Sequence, residues 1–278
     1  MTEQAKRAVP VPLEALIIPI YLMLDAPDTD QALATLERLQ ELRPDDWYAY
    51  FMEALFYYDS LGQPGAAKSA LERSFANDPE ANLPYIVGMM IALRDGDITL
   101  AQDYAAVVLA EFPDPELTTR AFNAVYGDQD PHELTGLYFE AATNLILGQY
   151  APIAANVGAA MDTLFAATAT PGLLGEQRVS LSDLFLMQGV AECNLNRYAA
   201  AEDAYSQAIR FSRDYALAYV LRAQVQRAQA DRSGAADDFA AAREHAPGDV
   251  FDAWIDAAEA GAWTCKNFLD YTLEENEG

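Results

Sequence analysis

The sequence predicts an all-α protein of antiparallel helix pairs stacked into a superhelix, and three observations predict it. An alanine stands twelve residues before a proline at Ala32 and Pro44, Ala67 and Pro79, Ala101 and Pro113, and Ala235 and Pro247. The first three of those prolines are 35 and then 34 residues apart. Phe185, Ala201, Tyr205 and Ala208 recur as Tyr219, Ala235, Phe239 and Ala242, each displaced by 34. A period held at four positions marks a repeated supersecondary unit, which buries its apolar face only against its neighbours.

Each element follows from local chemistry. Ala201, Tyr205 and Ala208 share one face of a 3.6-residue helix, so two small residues admit a neighbouring helix and the ring fills the gap. The proline that closes a unit ends its second helix, having no N–H and clashing with the preceding turn. Gly62, Gly96, Gly148 and Asn196 split the two helices, the residue types that suit a left-handed backbone at a helix end. In chain order, residues 1–12 form a tail and six helix pairs follow, in an N-terminal block (13–125) and a C-terminal block (134–248). From Gly96 to Gly148 is 52 residues, or about 18 more than one 34-residue unit. The excess predicts a short extra helix near 115–125, then a polar joint at 126–133. A second interruption covers about 167–180. Residues 249–271, with Trp254, Trp263 and Phe268, read as one or two closing helices that cover the last pair, and 272–278 as an acidic tail.

Those positions resemble the tetratricopeptide-repeat (TPR) superfamily, whose signature runs from an aromatic opening through Gly and Tyr to A-x3-F and a closing proline. The openings are Phe51, Tyr85, Phe185 and Tyr219, and Gly189 and Ala223 take the small position that follows. The resemblance is strongest over 181–248 and extends over about 15–113. Arg213 replaces a closing proline, Ile153 replaces the small residue of the second helix, and Met89 and Leu55 replace that of the first. The resemblance implies a right-handed superhelix whose inner face is lined by the first helix of each pair.

Composition excludes several classes of work. Seventeen Lys and Arg against 43 Asp and Glu leave a net charge of −26, and only Lys6, Lys68 and Lys266 are lysines. A chain without a basic stripe is unsuited to nucleic acid or to an anionic membrane surface. The longest apolar run, residues 15–24, contains Pro19 and is short of the ~20 residues that cross a bilayer. No cleavage pattern follows it, so a cytoplasmic protein is expected. Cys193 and Cys265 read as buried thiols, since free cysteine behaves as a small hydrophobe. His132 and His245 are the only histidines and fall in separate units, so neither a Ser/His/Asp arrangement nor a zinc site is expected. The Asp128, Asp130 and Glu133 run lacks the glycine and further oxygens of a calcium loop. Asp45 and Asp46 suit a first turn, and Asp237 and Asp238 read as a solvated face. No metal or cofactor is expected.

The work is therefore expected from a surface. Counted from the opening aromatics, the inner positions are Met52 and Phe56, then Ile86, Val87 and Met90, then Tyr138 and Phe139. The later pairs add Leu186, Met187, Val190, Val220, Leu221, Gln224 and Arg227. This lining is apolar and includes adaptable methionines. It has no lysine, which argues against a clamp for an acidic C-terminal carboxylate. The expectation is a non-enzymatic scaffold or chaperone that holds a partner protein segment there, with a homo-oligomer also admissible. The alternative is an assembly or regulatory subunit binding through its outer face.

Overall fold

The structure is a computed structural model and describes residues 29–79, 81–111, 133–167, 178–246, 248–271 and 273. Those residues form twelve helices and no strand among them, and they divide into two compact units after Ala81.

In the first unit, α1 (Thr29–Leu42), α2 (Trp47–Leu55) and α3 (Pro64–Asn77) pack in sequence. Ala32, Leu36 and Leu39 of α1 are buried, the 3.6-period stripe of an amphipathic helix. Asp46 caps α2, its carboxylate accepting from the Tyr48 N–H at 3.1 Å, and so satisfies one of the helix's unpaired N–H groups. The helix runs on as a π-turn over Phe56–Ser60. Gly62 then takes φ +59°, and Pro64 opens α3, where a missing N–H costs nothing. The buried Glu53 carboxylate accepts from Gln40 of α1 at 2.7 Å and pairs with Arg73 of α3, so one charge ties the three helices.

The second unit holds α4 (Asn82–Arg94), α5 (Ile98–Glu111), α6 (Glu133–Ile146), α7 (Tyr150–Ala167), α8 (Arg178–Asn194), α9 (Tyr198–Phe211), α10 (Ala216–Ala228), α11 (Arg232–His245) and α12 (Asp249–Ala260). The pairs α4/α5, α6/α7, α8/α9 and α10/α11 are the hairpins that the period predicts. Their turns carry positive φ at Gly96 (71°), Gly148 (67°) and Asn196 (61°), as the residue types require. The last turn repeats the conformation at Ala230 (68°), 34 residues after Asn196, with no glycine or asparagine to ease it. Close approach is literal at Gly189, where an added Cβ would overlap the Tyr205 ring. Gly88 meets Tyr104 in the same way, so Gly88, one residue before Met89, is the small position of that hairpin.

Three findings depart from the sequence reading. The division falls after Ala81, so α4 and α5 belong with the later helices and not with the N-terminal block. The reason is in α4 itself, where Leu83, Ile86, Val87, Met89, Met90, Ile91, Ala92 and Leu93 are all buried. A helix apolar on every side must be surrounded, and α4 packs on α6 and on α10, three hairpins later, as well as on α5. Arg94 fixes that return: its guanidinium donates to Asp183 of α8 at 2.8 Å and to Ser212 at 2.8 Å, and lies over the Tyr215 ring at 4.3 Å. Second, Asp238 is buried, not solvated. It receives Arg222 through two bonds of 2.6 and 2.7 Å, while Asp237 remains exposed. Third, Cys193 and Cys265 form a disulfide. The extra helix near 115–125, the joint at 126–133, the Asp128 and Asp130 run, His132 and the apolar run at 15–24 lie outside the described residues or their side chains.

Candidate functional site

The chain turns back after α12. Gly261 ends that helix in the left-handed conformation (φ +83°), with the Ala262 N–H reaching the Ala257 carbonyl at 2.8 Å and the Gly261 N–H reaching Ala258 at 2.9 Å. Arg227 caps the same end, donating to the carbonyls of Ala258 and Glu259 at 3.1 and 2.7 Å. Residues 261–271 are a succession of turns and not a second closing helix. Asn267 sets one of them by accepting from the Thr264 N–H at 2.8 Å.

This segment lies against α5, α8 and α10 of the second unit. Trp263, Cys265 and Phe268 are buried, whereas Thr264, Lys266, Asn267 and Asp270 are exposed. Trp263 donates its indole N–H to the Trp254 carbonyl at 2.9 Å, and its ring stands edge-on to Trp254 at 5.9 Å. Cys265 is bonded to Cys193 at the end of α8, and Lys266 donates to Asn196 at 2.5 Å. Side-chain amides from three helices take the segment's carbonyls. Gln224 of α10 donates to Trp263 at 2.9 Å, and Asn194 of α8 to Cys265 at 3.4 Å. Gln102 of α5 donates to Phe268 at 3.4 Å and to Tyr271 at 2.5 Å. Beneath it is a cavity of ≈ 200 Å³, lined by Leu145, Ile146, Val190 and Asn194 from the helices and by Phe268 and Leu269 from the segment, among others. Tyr150 also lines it; burial first, then the nearby Asp270 charge, push its hydroxyl pKa up.

The inner positions expected from the sequence fall as follows. Met52 and Phe56 are buried in the first unit. In the second, Ile86, Val87, Met90, Phe139, Leu186, Met187, Val220 and Leu221 are buried. Tyr138 is buried too, its hydroxyl donating to Asp183 at 3.4 Å. Val190 and Gln224 meet the C-terminal segment or its cavity. Arg227 is exposed and committed to capping α12. Counting missed Asn194, Gln102 and the cysteine pair. The alternation of buried and exposed residues from Trp263 to Phe268 is the one local signal that could have shown a docked segment. His245 stacks on Tyr219 at 5.6 Å. Among the described residues no group of three or more His, Cys, Asp or Glu is placed to hold a metal ion.

Repeated hairpins at the 34-residue period, left-handed inter-helix turns and ring-against-glycine contacts decide the architecture. The fold is of the TPR type. No family model matches the sequence, and no curated protein does. Among solved structures, the chain is similar to YrrB, described as a TPR protein with an unusual peptide-binding site, at 12% identity and TM-score 0.36, over 82% of this chain and 98% of that one. It is similar to PilF of Pseudomonas aeruginosa at 14% identity and TM-score 0.37, over 88% and 96%. A chain of the APC/C Cut9–Hcn1 hetero-tetramer matches at 12% identity and TM-score 0.47, over 90% of this chain, which spans 50% of that one. Likenesses of this size transfer no activity.

Proposed function

We propose that this chain is a non-enzymatic protein-interaction scaffold, whose second unit holds a partner segment at the inner ends of its first helices. One observation carries the reading: apolar side chains of α6 and α8 and side-chain amides of α5, α8 and α10 converge on one surface strip around a cavity. Apolar anchors plus donors for backbone carbonyls are what a peptide-binding surface needs. A net charge of −26 opposes a nucleic-acid partner and favours a basic one, or a segment without acidic residues. Among the described residues no helix is long and apolar enough to cross a membrane. The Cys193–Cys265 disulfide favours an oxidising compartment over the cytoplasm expected from the sequence.

The test uses the cavity rim, where Leu147 and Leu269 are half-buried and a charge need not unfold the helices. Partners recovered by affinity capture and identified by mass spectrometry are compared between wild type and Leu147→Glu/Leu269→Glu. Loss of a specific partner at unchanged helicity and melting temperature is the expected result. Full retention overturns the strip and leaves the second reading, binding through the outer face. The exposed Leu42, Leu109 and Val250 favour that alternative.

A further inference from the structure

Residues 261–271 have the properties of a bound ligand. Their buried side chains fall at Trp263, Cys265 and Phe268, and the residues between them face solvent. Gln224, Asn194 and Gln102 hold the segment by its carbonyl oxygens, contacts that any backbone can make. Besides the anchors, the segment is joined to the first helices by one covalent bond, Cys193 to Cys265. The cleft beside Phe268 and Leu269 opens to solvent and leaves room at the seat for further side chains. Gln224 is buried, and its Oε1 finds no donor among the described residues, so an occupant's N–H has an acceptor waiting.

The geometry points to a peptide-docking strip on the second unit whose resident occupant is this chain's own C-terminal segment. Its external ligand is a turn-forming segment of another protein, with an aromatic anchor at its first position, a small apolar residue at the third and a second aromatic at the sixth. That pattern is read from Trp263, Cys265 and Phe268. The ligand carries few acidic residues, because the whole chain is strongly negative. The disulfide tethers the resident and gives it a high effective concentration, so an external segment enters only against that advantage. The inference rests on the scaffold reading and adds the chemistry of what is held.

The test needs no partner, so its failure leaves the scaffold reading to the capture experiment. The probe is a fluorescein-labelled synthetic peptide of residues 261–271 carrying Cys265→Ala, with a scrambled peptide as control. Its anisotropy is followed with the full oxidised chain and with the full-length variant Trp263→Ala/Cys265→Ala/Phe268→Ala, which removes the resident's anchors. The variant is expected to bind the peptide at least tenfold tighter than the wild type does, and tighter than it binds the scrambled control. Equal affinity for both proteins, or no preference over the scrambled peptide, overturns the strip. If the variant does not fold, amide hydrogen exchange of the wild-type chain before and after reduction decides. Exchange over 263–271 is expected to quicken at least tenfold more than exchange in α8 to α11. Unchanged rates, or the same quickening over 263–271 and through α8 to α11, show that the segment is core and not a separable occupant.

Discussion

A methyl group added at Gly189 would lie 2.6 Å from Cδ1 of Tyr205, inside the ring's van der Waals surface. Gly189→Ala is therefore expected to lower stability by roughly 1–3 kcal/mol, the usual cost of overpacking a closely packed helix pair. Gly65 is the control, also helical but with nothing within 4 Å of the built Cβ. There Gly65→Ala is expected to be neutral or to stabilise by up to about 1 kcal/mol. Ala230 offers the opposite substitution, since it holds φ +68° without the freedom of glycine. Ala230→Gly relieves that conformation and is expected to raise stability by up to about 1 kcal/mol, read from denaturant midpoints. Tyr205 adds a pH dependence. Complete burial pushes its phenol pKa well above the usual value, which is about 10 in an unfolded chain. Above that pH the unfolded chain releases a proton that the folded one retains, so stability falls as pH rises. The difference between the 295 nm titrations of the wild type and Tyr205→Phe should show this phenol ionising only as the protein unfolds. Its titration with the exposed tyrosines would contradict the burial.

At the scale of elements, two links hold the second unit against the tendency of a repeat to touch only its neighbours. One is the Arg94–Asp183 pair, with side chains 11% and 0% exposed. Removing one partner leaves a buried charge, so Arg94→Met is expected to cost about 3–5 kcal/mol. The other is the disulfide, which closes a separation of 72 residues. Its reduction is expected to lower stability by roughly 2–4 kcal/mol through the gain in unfolded-chain entropy. Thermal melts with and without a reductant measure it, and a reduced protein as stable as the oxidised one would show that the bond constrains nothing. The hairpins themselves were legible in the sequence because their signals are local: alanine, ring, turn glycine and proline at fixed offsets. The return of α4 onto α10 was not, since it depends on pairing between residues about 90–120 apart in sequence, such as Arg94 with Asp183 and Tyr215. An all-apolar α4 signalled burial on every side without naming what covers it.

For the whole molecule, the TPR-type architecture could be read from one period, whereas the candidate site could be read only in part. Of the counted inner positions, Val190 and Gln224 lie against the C-terminal segment or its cavity, and Met187 and Val220 are buried. Side-chain periodicity marks the buried face of a helix and does not separate burial by a neighbour from burial by a ligand. The cysteines were misread because a disulfide between two helix-rich segments leaves no spacing signature, only proximity in the fold. The aromatics of 249–271 predict one or two closing helices, and α12 is one of them. Gly261 stops α12, and Asn267 turns the chain back instead. That segment is seated on α5, α8 and α10 and tied there by the Cys193–Cys265 bond. The measurement that tests it most directly is mass-spectrometric peptide mapping of the native protein, alkylated before digestion and kept unreduced. The expected result is a linked pair of peptides containing Cys193 and Cys265, which separate on reduction. Recovery of both cysteines as alkylated thiols from the natively isolated protein would contradict it.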